Sequence, residues 1–393
     1  MSIAIPAGDR RAPSWRVAAV FAVPAALGAS LLPFLSFRPN RIVSGEGILL
    51  WRPGTVGAEP LGWAALIGLA ALTLLPLPQA ARLALALAGA ALTVALAGQG
   101  ANALMAEAPD FARVSLGGGF WVALAFLALA AADAAARLAL APLVRIGLLA
   151  GVFGAAALAL GSGALDRLSI LQEYDANADA FDAAFAGHLK LVLGSLVPAL
   201  LIGLPLGRLC HASPRARAVA VPVLNLLQTT PSIAMFGLLM VPLGALAAAW
   251  PGLRDLGVAG IGAAPAIVAL TLYSLLPIVA NTMAGFAAVP AHLREAGRGM
   301  GMGRRRLLWQ VEAPLAAPVI LTGIRIVVVQ NIGLAAVAAL IGGGGFGTLV
   351  FRGMGQTAMD LVLLGTLPIV AMAIAATVLF DAAIDSLNRG GPR

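Results

Sequence analysis

The chain has 393 residues, of which 61% are hydrophobic and only 11% charged, against roughly 25% charged in an average soluble domain. A soluble domain of this length cannot cover that much apolar surface, so an ordinary cytosolic enzyme is excluded. The net charge is +8, carried by 25 Lys and Arg against 17 Asp and Glu, and with so few charges their placement matters more than their sum.

A membrane-crossing helix needs about 20 mainly apolar residues. Windows of that kind at 17–37, 61–78, 83–100, 120–136, 146–162, 189–207, 220–243, 264–286, 317–341 and 361–380 predict about ten spans, an all-α polytopic membrane protein. The first follows Arg10, Arg11 and Arg16 as a signal peptide would, but Val17 to Phe37 is too long for a typical apolar signal region. It reads as a retained span. Asp133 and Arg137, at the end of the fourth, are i,i+4 neighbours and read as a local ion pair. Gly147 with Gly151, and Gly203 with Gly207, have the spacing of closely packed helices. The single cysteine, Cys210, excludes an internal disulfide and any Cys-clustered metal site.

Basic residues stay on the cytoplasmic side during insertion. With the N-terminus inside, the cytoplasmic segments hold 16 arginines and 5 carboxylates, and the outer segments 7 arginines and 11 carboxylates. Both termini are therefore expected in the cytoplasm of a bacterial inner-membrane protein. The positive charge is an insertion and docking signal, and no nucleic acid is expected as a partner.

The chain divides into an N-terminal membrane region 1–165, an acidic outer-side connector 166–185, a C-terminal membrane core 186–385 and a tail 386–393. The two halves share no convincing repeat, which argues against an inverted-repeat secondary transporter. The longest cytoplasmic segment is 288–314. Pro290 suits a helix start. Leu293, Ala296 and Met300 fall on one apolar face. Glu295 lies in the first turns, where the helix dipole favours a carboxylate. Gly297, Gly299 and Gly301 then permit a sharp turn. A short amphipathic helix ending in a glycine turn is built to dock on something.

This segment resembles the E-A-A-x3-G-x9-I-x-L-P loop of binding-protein-dependent ABC importer permeases. Glu295, Ala296, Gly297, Gly301, Val311, Ala313 and Pro314 stand at the matching positions, with Gly297 for Ala, Val311 for Ile and Ala313 for Leu. In that family the loop forms a coupling helix seated on an ATPase subunit. The resemblance assigns Leu293, Glu295, Ala296, Gly297, Met300, Gly301 and Pro314 to ATPase coupling. Residues 186–385 further resemble the glycine betaine, choline and osmoprotectant branch, through His188-Leu-Lys-Leu-Val, Gln228-Thr-Thr-Pro-Ser, Leu272 to Thr282 and Gln310 to Arg325. Ala280 stands where that branch usually has Arg. The resemblance implies a second permease chain, ABC ATPase subunits holding ATP and magnesium, and a periplasmic or lipid-anchored binding protein, with no cofactor in this chain. Residues 1–165 resemble the extra N-terminal spans of longer permeases in the branch.

Gln228, Thr229, Thr230, Pro231 and Ser232 put a proline and hydroxyls inside a span, and Tyr273, Pro277 and Asn281 repeat the pattern at i+4 spacing. Broken, polar helix segments mark transport pathways, although hydroxyls bonded to their own backbone at a packing kink would leave the same trace. Arg325 is a costly intramembrane charge, either lining the pathway or bonding structurally. Gln330 and Asn331 follow on the same span. Gly342 to Gly347 satisfies G-x-G-x-x-G but ends a span, so it reads as a hinge or close-packed turn and not a nucleotide site. No catalytic constellation, H-E-x-x-H or Walker A motif occurs, so the chain is expected to be no enzyme. An ABC permease for an amino acid or sulfonate, or an ion-coupled transporter, stays open at this point.

Overall fold

The computed structural model describes residues 14–389 except 41, 42, 44, 52–63, 69, 70, 72–74, 76, 110 and 256. Half of the predicted span 61–78 therefore lies outside the described residues, as does the end of the tail. The chain forms two compact units, Met1–Leu140 with Gly151–Glu173, and Ala141–Ala150 with Tyr174–Arg393. Among the described residues, eight helices are long and apolar enough to cross a membrane.

The first unit is built on α1 (Ser14–Leu31), α2 (Gln79–Met105) and α3 (Gly118–Arg137). Both α1 and α2 pack on α3, and Gly28 lets α1 approach so closely that an added Cβ would lie 2.4 Å from Val122. The expected span 17–37 does not run its full length as helix. It stops at Leu31, ahead of Pro33, whose missing N–H cannot continue a helix. The chain then turns into β1 (Leu35–Arg38), which pairs antiparallel with β2 (Glu46–Ile48) and β3 (Arg113–Leu116). Leu35 faces Ile48 on one side and Leu116 on the other. Among the described residues, this small sheet is the one departure from the all-α expectation. Asp133 accepts a 2.7 Å hydrogen bond from Arg137, the local pair its spacing implied.

Helix α4 (Pro142–Gly161) has no buried residue. Neither Gly147 nor Gly151 has an atom within 4 Å of an added Cβ, so that glycine pair makes no close helix contact. The other pair does. A Cβ added at Gly203 would lie 2.7 Å from Ile278, and one at Gly207 2.6 Å from Thr282. The connector 166–185 is helical: α5 (Ser169–Ala176) is followed by α6 (Ala178–Ala212), whose first turns precede the apolar window.

The second unit centres on α9 (Ala263–Ala288), which packs against α6, α7 (Pro214–Thr229), α8 (Ser232–Ala249) and α11 (Arg304–Ile341). The predicted span 220–243 is two helices, α7 and α8, broken where Thr230 and Pro231 turn extended. Between α9 and α11 lies the short α10 (Ala291–Gly299). Helix α12 (Gly347–Gly355) and α13 (Met359–Arg389) complete the unit, both packed on α11. The glycine run before α12 is a tight turn. Gly342, Gly344 and Gly345 all have φ near +80°, the left-handed region where a Cβ is costly. Phe346 behind it is fully buried against Phe181 and His188.

Candidate functional site

Helix α10 is capped by the chain itself. Pro290 stands before it in extended conformation. At its far end Gly301 has φ +76°. Met302 N–H donates to Gly297 O at 3.1 Å, and Gly301 N–H donates to Arg298 O at 2.9 Å. These two bonds make a Schellman motif, with Gly301 at the left-handed position that closes it. The glycine turn read in the sequence is therefore a helix cap.

The exposed face of α10 carries Leu293 (37% exposed), Glu295, Ala296 and Met300 (71% exposed). Gly297 faces inward and is buried. A Cβ there would sit 2.6 Å from Leu307 Cδ1. The substitution of Gly for the usual Ala is thus matched by Leu307, which fills the space. Helix α11 begins at Arg304, passes through a π turn over Leu308–Glu312 and becomes α-helical from Ala313. Pro314 falls in the first turn after the π segment, where its missing N–H is tolerated.

The base of α10 is tied to the spanning helices by groups that the sequence pattern did not single out. Arg208 at the end of α6 pairs with Glu312 of α11 at 3.1 Å, and its guanidinium lies 4.8 Å over the Phe286 ring of α9. Phe286, Val289 and Ala316 form a small apolar core beneath them. One charged, partly buried pair thus joins the ends of α6, α9 and α11 at the start and finish of the α10 segment.

The residues read as pathway candidates fall into separate groups. At the break between α7 and α8, the Thr229 and Thr230 hydroxyls both donate to Leu226 O at 3.0 Å, and Tyr273 Oη donates to Thr230 O at 2.6 Å. The carbonyls of Leu226 and Thr230 at the break are therefore satisfied within the unit. Gln228 is half-buried and Ser232 partly exposed beside them. Asn281 donates to Pro277 O in its own helix at 2.8 Å and packs on Gly323. Asn331 is fully buried and donates to Ser195 at 3.0 Å and Ser274 at 2.9 Å, which links α11, α6 and α9. Asn331 and Tyr273 are both buried and hydrogen-bonded between helices of the unit. Arg325 pairs with Asp381 of α13, an intramembrane charge neutralised by a carboxylate near the end of the last span. Gln330 is half-buried on the next turn.

The comparisons with known proteins fall on these same elements. Residues 199–390 match the family model described as binding-protein-dependent transport system inner membrane component. The Osmoprotectant import permease protein OsmW of Salmonella typhimurium is 47% identical over 191 residues, which is 48% of this chain and 82% of that protein. The chain belongs to the binding-protein-dependent ABC transporter permeases. The Osmoprotectant import permease protein OsmY of the same organism is 41% identical over 203 residues, 51% of this chain and 75% of the relative. The Carnitine transport permease protein OpuCB of Listeria monocytogenes is 35% identical over 187 residues, 48% and 78% respectively. Residues 13–171 match a second model, the N-terminal domain of ABC transporter permease YehY. The family model spans α10 and the helices that frame it, so this permease carries its amphipathic segment inside the matched region.

Proposed function

We propose that this permease is the membrane subunit of an ATP-driven importer for a small methylated-ammonium osmoprotectant. The observation that carries the substrate class is that the first two relatives are named osmoprotectant import permeases and the third a carnitine permease. The capped, outward-facing α10 supports coupling to a separate ATPase. Leu293, Ala296 and Met300 would enter a groove of that subunit, with Glu295 at the rim. ATP and magnesium would bind there and not in this chain. Motion of α10 would reach the spans through the Arg208–Glu312 pair and the Phe286 core. Two permease chains would enclose the route, a periplasmic or lipid-anchored binding protein would deliver substrate, and both termini would lie in the cytoplasm of the inner membrane. The break at Thr230–Pro231 would serve as a hinge along that route.

Purification from native membrane tests the assembly. An ATPase and a binding protein should accompany the chain, and ligand-induced thermal shifts of that binding protein should name a methylated ammonium compound. A binding protein stabilised by an amino acid or a sulfonate instead would overturn the substrate reading.

A further inference from the structure

Beside the pathway candidates, a half-open cavity of about 390 Å³ lies where the end of α6, the start of α7 and the last turns of α9 meet. That volume falls in the range of small-molecule sites. One wall carries the Arg217 guanidinium, with His211 beside it held toward its neutral form by burial and by Arg208 and Arg294, and the other is apolar, formed by Leu276, Ala280, Met283 and Ala287. Residues 276, 280, 283 and 287 repeat at helical spacing, so the apolar wall is one face of α9. This face is open on the most buried of the spanning helices, and Ala280, Ala284 and Ala287 on it are exposed. The carboxylate nearest the α6 end, Glu312, is already engaged by Arg208. Among the described residues no ion pair takes up Arg217. The cavity therefore keeps a net positive wall, and a concave surface of one sign concentrates ligands of the other.

We propose that this cavity is a station for the carboxylate of a zwitterionic substrate on the cytoplasmic half of the route, and the proposal rests on the osmoprotectant reading above. The carboxylate of a betaine seats against Arg217, with His211 beside it. The methylated ammonium, apolar on its outside, lies along the alanine and methionine wall. Choline carries a hydroxyl in place of the carboxylate and is repelled by the basic wall, so the cavity favours zwitterions over bare cations. Ala280 matters because its short side chain leaves the space open.

The test is uptake of labelled glycine betaine and choline by the complete importer in proteoliposomes, normalised to the amount inserted. Loss of one charged hydrogen bond at a half-open site is expected to raise the KM for betaine about tenfold in Arg217→Gln. Arg217→Lys should restore it, and the KM for choline should stay unchanged or fall. An Arg217→Gln variant with unaltered betaine KM overturns the proposal, and so does an equal loss for both substrates. A wild type that imports choline but no betaine overturns it as well. A wild type that imports neither of these nor labelled carnitine overturns the osmoprotectant reading itself, which is a distinct failure.

Discussion

The cap at Gly301 gives the sharpest test of how α10 works. At φ +76° this residue closes the two bonds from Met302 and Gly301 back to Gly297 and Arg298. An L-residue forced into the left-handed region costs about 1–2 kcal/mol. Helix α10 has nine residues, and a helix that short is marginal on its own. Gly301→Ala should therefore lower the closed population of the cap by a factor of about 5–30. Hydrogen exchange should show the Gly301 and Met302 amides opening faster by a similar factor. Uptake by the complete importer should fall several-fold at unchanged abundance in the membrane. Gly299→Ala is the control, because an added Cβ there meets nothing within 4 Å and alanine favours the helix by about 1 kcal/mol. Its uptake should equal or exceed the wild type. Wild-type uptake and exchange in Gly301→Ala, or equal impairment in Gly299→Ala, would refute the reasoning.

Other variants probe the rest of the second unit. Glu312→Ala leaves Arg208 without its carboxylate in a partly buried setting, 34% exposed for the Arg side chain and 11% for the Glu. It should lower thermal stability by about 1–3 kcal/mol, and Glu312→Ala with Arg208→Ala should recover part of that loss. Asn331→Ala removes the bonds to Ser195 and Ser274 and should cost about 1–2 kcal/mol in detergent unfolding, since interhelical bonds within membranes average about 0.6 kcal/mol and reach about 1.7. Gly207→Ala drives a Cβ to 2.6 Å from Thr282 and should destabilise by about 1–3 kcal/mol, whereas Gly147→Ala, with open space around it, should be neutral or stabilising in the same melt. Glu295→Arg, on the exposed face, should abolish uptake and weaken co-purification of the ATPase while the chain stays in the membrane.

Most spans were legible because length and apolarity define them, although the window 220–243 holds two helices broken at Thr230–Pro231, and the amphipathic α10 was legible because its 3.6-residue pattern stands outside any apolar window. The glycine at 301 announced a turn, but only the backbone reveals a Schellman cap. Other features depend on contacts distant in sequence. Pro33 marks where the helix of 17–37 must end, but nothing local says that Leu35–Arg38 will then pair with Arg113–Leu116. Arg208 and Glu312 are visible as charges at span ends, but they lie 104 positions apart and their pairing is a tertiary fact. Gly147 and Gly203 have the same i,i+4 spacing to a second glycine, yet only the latter meets a neighbour. The polar residues of 228–232 were legible as a bend, and the partner that satisfies it, Tyr273, was legible only as a tyrosine in a span.

The most direct test of ATP-driven import is uptake of labelled glycine betaine by proteoliposomes with and without the partner ATPase. The expected result is accumulation that needs the ATPase, internal ATP and the binding protein together, and that is lost in Glu295→Arg. Concentrative uptake by this chain alone, without ATP, would contradict it.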